Sequence, residues 1–83
     1  MSAGHRHFED LYLSAQAAIL GNDPIFISFL NEVHGVNPEA DIAQAVRDLC
    51  HIKSRSQLNT DLVARAAWLD LYGQFQKWRR RQK

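Results

Sequence analysis

The sequence contains a single cysteine, Cys50, so the chain cannot form a disulfide within itself. We therefore expect the protein in a reducing compartment, with a cytoplasmic location. Residues 1–10 contain no apolar core of the kind that a secretory signal peptide carries. No apolar run approaches the length of about 18 residues that a membrane-spanning helix needs. The sequence thus predicts no signal peptide and no transmembrane segment.

The motifs that would indicate an enzyme or a metal site are missing as well. The sequence has no glycine-rich phosphate loop, no Gly-x-Ser-x-Gly elbow and no paired carboxylates, so we predict a non-enzymatic protein without a cofactor. His5, His7 and His34 do not have the spacing of zinc ligands, and we predict no metal site. Cys50 and His51 are adjacent, and helical neighbours point about 100° apart, so Cys50 is interpreted as a small buried hydrophobe.

What remains is the composition of an ordinary globular protein, with 46% hydrophobic and 23% charged residues. A chain of 83 residues forms one domain with one modest core, which leaves little room for a deep substrate pocket. We therefore predict a single helical domain over residues 1–83 and no small-molecule substrate. Residues 1–6 are expected to be frayed, and residues 82–83 to form the end of a basic tail.

The net charge of +1 hides an uneven distribution. Residues 1–50 carry two basic and seven acidic side chains, whereas residues 51–83 carry eight basic and two acidic ones. One interpretation is that the two halves attract each other within the fold. The other is that an acidic body carries a basic end that binds something anionic: nucleic acid, an acidic membrane surface or an acidic protein.

Apolar residues at helical spacing predict an all-α fold, a compact four-helix bundle with a long C-terminal helix. The first helix is expected from about His7 to Leu20, with Gly21 in the left-handed conformation after it. Short connections favour antiparallel packing of consecutive helices. The apolar stripe of the first helix comprises Phe8, Leu11, Tyr12, Ala15, Ala18 and Ile19.

The second and third helices share a start signal. Asp23 and Asn37 are each followed by proline, which favours capping by the polar residue and a helix that begins at Pro24 or Pro38. Gly35 ends the second helix, and the third fades around residue 53. The residues expected to be mostly buried in the core are Phe8, Leu11, Phe29, Leu30, Val33, Ile42, Val46, Leu49, Leu71 and Phe75.

A polar linker, residues 54–59, precedes the last helix. Ser54 and Gln57 have the spacing of a capping box, which is typical of a short helical turn. Leu58 is expected to pin the linker to the core. Asn59 or Thr60 is expected to cap the final helix.

The final helix, predicted over Asp61–Arg81, has two apolar stripes instead of the single one that a surface helix needs. The broad stripe comprises Ala64, Ala67, Trp68, Leu71, Tyr72, Phe75 and Trp78. The narrow stripe, nearly opposite, comprises Leu62, Ala66, Leu69 and Gly73. Two stripes indicate either the central helix of a bundle or a helix shared between the core and a partner.

The leading hypothesis is a small helical adaptor or regulator that acts through its C-terminal helix on a protein partner, or on a second copy of itself. Aromatic side chains and arginine are typical anchors of such contacts. The residues predicted to bind the partner are Trp68, Tyr72, Trp78, Lys77, Arg79, Arg80 and Arg81.

The alternative is a regulator that binds nucleic acid, through the basic end or through a helix-turn-helix. The second helix, Gly35 and the third helix resemble that motif in outline. Asn31 stands where a small apolar residue is usual, and Pro38 lengthens the turn. Arg47 is the basic residue of the helix that would enter the groove, which also carries Glu39, Asp41 and Asp48.

Overall fold

A computed structural model describes residues 8–82, and 73% of these residues are helical with no strand among them. The expected frayed segment, His5, the start at His7 and Lys83 lie outside the described residues. A short 3-10 helix, Phe8–Asp10, comes first. It is followed by α1 (Leu13–Leu20), α2 (Pro24–His34), α3 (Ile42–Cys50), α4 (Gln57–Thr60) and α5 (Leu62–Arg81). The all-helical prediction is confirmed, but this part of the chain has five α-helices where four were expected.

The first helix begins later than predicted, because the chain leaves helical geometry at Tyr12 (φ −55°, ψ 145°). The amide of Gln16 donates a hydrogen bond of 3.1 Å to the carbonyl of Leu11 and holds this break. The break also changes which face is buried. Gln16 and Leu20 point into the core, whereas Tyr12 is 78% exposed and Ile19 is exposed too, so the predicted stripe was wrong there.

The turn from α1 to α2 corrects a second expectation. Gly21 is right-handed (φ −60°), not left-handed as predicted. The backbone N–H groups of Asn22 and Asp23 donate to the carbonyls of Ile19 and Leu20, which closes a tight turn. The chain bends by 89° there, so α1 and α2 are not antiparallel neighbours. Instead, α1 packs against α3 and α4.

The bounds of α2 are as predicted. Asp23 accepts a hydrogen bond from the N–H of Ile25 at 2.9 Å, Pro24 occupies the first turn, and Gly35 (φ 69°) ends the helix in the left-handed conformation. Its buried residues are Phe26, Phe29 and Leu30. Val33 was expected in the core but is 48% exposed, because α5 covers only one side of α2.

The third helix starts four residues after the predicted position. Asn37 does cap, but it caps an isolated turn by accepting from the N–H of Glu39 at 2.9 Å. Asp41 is the cap of α3 and accepts from the N–H of Gln44 at 3.1 Å. The helix ends at His51, which adopts the left-handed conformation (φ 59°).

The linker forms the helical turn that its capping-box spacing indicates. The Gln57 side chain accepts hydrogen bonds from the N–H groups of Lys53 (2.7 Å) and Ser54 (3.2 Å), and α4 follows. Leu58 is fully buried, as predicted. The cap of α5 is Asp61, not Asn59 or Thr60, since its carboxylate accepts from two backbone N–H groups of the first turn.

The core is built against one side of α5, on which α2, α3 and α4 all pack. Its centre is a cluster of rings. Phe26 meets Phe75 edge-on at 5.0 Å between ring centres, and Phe29 lies 5.4 Å from Phe75. Trp68 is fully buried and donates a hydrogen bond of 2.9 Å to Gln16, which joins α5 to α1.

In the part of the chain that the structure describes, no single helix is both long and apolar enough to cross a membrane. Only α1 and α2 together reach that length and composition, and they are the pair bent by 89°.

Burial on α2 predicts a sharp contrast between two substitutions. Phe29→Ala should lower the free energy of unfolding by about 3–5 kcal/mol, because it leaves a cavity among packed rings. Val33→Ala, on the exposed side of the same helix, should change it by less than about 1 kcal/mol. Chemical denaturation followed by circular dichroism measures both. Equal losses for the two variants would contradict the assigned face of α2.

Two glycines predict opposite responses to alanine. A Cβ at Gly73 would have no heavy atom within 4 Å, so Gly73→Ala should stabilise α5 by about 0.5–1 kcal/mol. Gly35 also has open space but a φ of +69°, so Gly35→Ala should destabilise by about 1–2 kcal/mol. Thermal melting of the two variants tests this. A destabilised Gly73→Ala would show that the side of α5 on which Gly73 lies is covered.

Candidate interaction surface

The narrow stripe of α5 lies on the solvent side of the helix. Leu62 is 76% exposed and Leu69 is 51% exposed, and Val63 beside them is 77% exposed. Ala66 is exposed too, and the open space at Gly73 continues the uncovered face. Three large apolar side chains on one helix therefore lie in solvent, although single exposed apolar residues elsewhere need no explanation.

The packing of the helices explains this exposure. The buried residues of α5 are Ala64, Trp68, Leu71 and Phe75, all from the broad stripe. Because α2, α3 and α4 contact this side, the residues nearly opposite have no element over them in the described chain. We name the uncovered residues Leu62, Val63, Ala66, Leu69 and Gly73 the outer face.

The outer face continues into a basic end. Arg80 follows Leu62 by five helical turns and so lies on the same line along α5. Lys77, Arg80 and Arg81 are exposed. Arg79 is exposed as well, and its guanidinium carbon lies 5.4 Å from the centre of the Phe75 ring, a cation–π contact. The surface along α5 is thus apolar in its first three turns and basic in its last.

The aromatic residues predicted to bind a partner lie in the core or against it, not on the outer face. Trp68 is 0% exposed, so in this fold it is a core residue and cannot be a surface anchor. Tyr72 is half-buried and stacks on Trp68, with ring centres 6.4 Å apart, and also packs against Phe8. Burial of these rings has a simple reason: the broad stripe is the one that the other helices cover.

Trp78 is half-buried between α2 and α5. Its ring lies 5.8 Å from Phe29 and 6.3 Å from Phe75. Its indole N–H is buried and has no hydrogen-bond partner among the described residues. Trp78 therefore closes the end of the core, and its removal would damage packing as well as any contact.

The sequence pattern showed the narrow stripe, which makes up most of the outer face, but it did not identify this stripe as the site. Leu62 and Leu69 were recognised as members of the narrow stripe, while the aromatic residues were given the role of anchors. Val63 was missed altogether, since it lies to one side of the stripe. The alternation of stripes was the available signal, and only the packing shows which stripe is free.

The environment of Cys50 is unsuited to a nucleophile. The side chain is 1% exposed, and desolvation raises the pKa of the Cys50 thiol to about 11, so the thiol stays protonated near neutral pH. His51 beside it is exposed. Among residues 8–82, no group of three or more potential metal ligands is close enough together to hold an ion. His5 and His7 lie outside these residues.

The connection between α2 and α3 departs from a helix-turn-helix. It spans residues 35–41, whereas the motif has a turn of about three or four residues. The later start of α3 at Ile42 causes this difference. Asp41 and Asp48 also accept hydrogen bonds from Gln44 in this region, so the helix presents carboxylates next to Arg47.

The raised pKa of Cys50 predicts a loss of stability in alkali. The folded chain holds the thiol proton more tightly than the unfolded chain does, so this stabilisation is complete below the ordinary pKa of 9.0. It should be lost as the pH rises from 9 toward about 11. Urea unfolding at about pH 8 and about pH 10.5 should show a smaller decrease for Cys50→Ala than for the unaltered chain. Parallel decreases in the two proteins would contradict the assigned burial.

Known proteins were compared with this chain in three ways. Neither the models of protein families, nor curated protein sequences, nor solved structures gave a match.

Proposed function

We propose that this chain is a non-enzymatic interaction module whose outer face binds an amphipathic, acidic helix of a protein partner. The observation that carries the proposal is the exposure of Leu62, Val63 and Leu69 on the side of α5 that the bundle leaves uncovered. Burial of such apolar side chains supplies affinity. The helices α2, α3 and α4, which pack against the other side of α5, then act as the scaffold that keeps the outer face accessible.

The spacing of the outer face favours a helix as its occupant. Leu62, Ala66, Leu69 and Gly73 follow one another at intervals of four, three and four residues, which is the seam of a two-helix coiled coil. Large leucines alternate with small residues along this seam. Ala66 and Gly73 leave room for large side chains from the partner, so two helices can approach closely and interdigitate.

The charges favour an acidic occupant. Lys77, Arg80 and Arg81 are exposed at the C-terminal end of the seam, where the negative end of the helix dipole also favours cations. A partner helix with apolar residues opposite Leu69 and carboxylates beyond them matches both the apolar and the basic part of the surface along α5. Exposed charges act mainly by speeding association, and the buried apolar contacts mainly slow dissociation.

Matched substitutions separate these two contributions. Leu69→Ser should raise the dissociation rate of the partner, whereas Ile19→Ser should not, although both side chains are 51% exposed. The combined change of Arg79, Arg80 and Arg81 to glutamine should slow association and flatten its salt dependence. Quantitative mass spectrometry of captures from native lysate identifies the partner as the protein lost with Leu69→Ser and kept with Ile19→Ser. Surface plasmon resonance then measures its rates.

Several results would count against the proposal. Equal capture by Leu69→Ser and Ile19→Ser would exclude the outer face as the site. A partner that is a second copy of the chain would appear as a dimer in light scattering, and it would replace the acidic helix as the occupant. Nuclease-sensitive capture, with a salt slope that falls by up to about three units in the triple variant, would indicate nucleic acid instead.

A further inference from the structure

A cavity away from α5 is lined by basic and hydroxyl side chains. It has a volume of about 450 Å³ and opens between α1, α3 and the linker before α4. The polar residues that line it are Ser14, Arg47, Lys53, Ser54, Arg55 and Ser56. Among the described residues that line it, none is acidic. This cavity is separate from the outer face and shares no residue with it.

The three cations come from two elements that the fold brings together. Arg47 is half-buried on α3, and its Nε and Nη2 atoms donate to the side-chain oxygen of Gln44 at 3.3 and 2.9 Å. Gln44 is a neutral amide that orients the guanidinium, and its own Nε2 donates at 2.8 Å to the carboxylate of Asp48, which does not line the cavity. Lys53 and Arg55 are exposed on the linker. A cation that is held in place, with two exposed cations beside it, suits an anion that enters from solvent.

The hydroxyl groups retain donors for such an anion. Ser14 Oγ accepts from the Asn59 amide at 3.0 Å, which leaves its own O–H free to donate. Ser54 Oγ and Ser56 Oγ lie 2.9 Å apart, and only one of their two protons is used between them. The cavity therefore offers at least two hydroxyl donors together with the three cations.

We propose that this cavity binds a phosphate monoester. Such a group carries a charge of about −1.5 to −2 at neutral pH and three strong acceptor oxygens, which matches three cations and two hydroxyl donors. A carboxylate has one charge and two oxygens, and would leave donors without partners. The planar guanidinium of arginine can bind two phosphate oxygens at once in a fixed geometry, whereas the lysine ammonium acts as a point charge.

A second groove beside the cavity contains a carboxylate that opposes the binding of a phosphate. Arg55 lines that groove too, and Asp41 lies in it. The Asp41 carboxylate caps α3 by accepting a hydrogen bond from the N–H of Gln44, and it lies in the same groove as Arg55. Asp41→Asn keeps a good capping residue and removes the competing charge, so it should tighten phosphate binding.

The first test is a titration of the full chain with inorganic phosphate at constant ionic strength, followed by the backbone amide signals in NMR. We expect saturable shifts confined to Ser14 and residues 53–56, with a Kd on the order of 1 mM for so small a ligand. Chloride at the same ionic strength should not reproduce them. Absence of shifts, or shifts centred on residues 77–82, would overturn the proposal.

Variants locate the contacts. Arg47→Gln should weaken phosphate binding by about tenfold, in line with the loss of a charged hydrogen bond, and Lys53→Gln or Arg55→Gln by less. Arg80→Gln removes the same charge outside the cavity and should leave the affinity unchanged. If Arg47→Gln does not fold, the two exposed variants decide the matter. If Arg80→Gln weakened phosphate binding as much as Arg47→Gln, the affinity would depend only on the net charge of the chain. That result would overturn the proposed site.

The source of the phosphate is tested with two further ligands. Free O-phosphoserine and a phosphoserine peptide present the same group with and without a flanking chain. Tighter binding of the peptide would indicate a phosphorylated protein, and equal binding a small phosphorylated metabolite; both results support the site. Equal binding of the unphosphorylated peptide would overturn it.

Discussion

The hydrogen bond from Trp68 to Gln16 is the contact on which the arrangement of the helices depends. Both side chains are buried, and 52 residues of sequence separate them. A buried indole N–H or amide without a partner costs about 1–3 kcal/mol, so each residue requires the other. The Gln16 amide also binds the carbonyl of Leu11, where the chain breaks before α1. One polar side chain thus fixes the start of α1, its rotation and its position against α5.

The same constraint makes the core one-sided. Trp68 is hydrogen-bonded to α1, and Leu71 and Phe75 on the same side of α5 are buried where α2 and α3 pack. The broad stripe of α5 is therefore buried within the domain. Residues 8–82 have too few helices to wrap the 20-residue α5 on every side. The exposed outer face is therefore a consequence of domain size and of the choice of core face.

The folded chain also redistributes charge in a way that the two halves of the sequence do not show. Arg47, from the acidic half, joins Lys53 and Arg55 from the basic half around the cavity between α1 and α3. Four other basic residues, Lys77 and Arg79 to Arg81, lie at the far end of α5, and Arg65 lies near its start. The basic half of the sequence thus contributes to two separate basic surfaces. The acidic helix is proposed to bind at the end of α5, and the phosphate group in the cavity.

Local signals in the sequence determined the helical class, the bounds of α2 and the two stripes of α5. They depend on neighbouring residues alone: a cap at Asp23, a glycine at position 35 and apolar residues at helical spacing. The starts of α1 and α3 were beyond such signals. The break before α1 involves Gln16, which is bonded to the distant Trp68, and Asp41 caps α3 although Asn37 offers a similar local signal. Which stripe of α5 is buried, and that Val33 is exposed, were likewise decided by the tertiary structure. A stripe records that a face can be buried, whereas the number and direction of the helices around it decide whether it is.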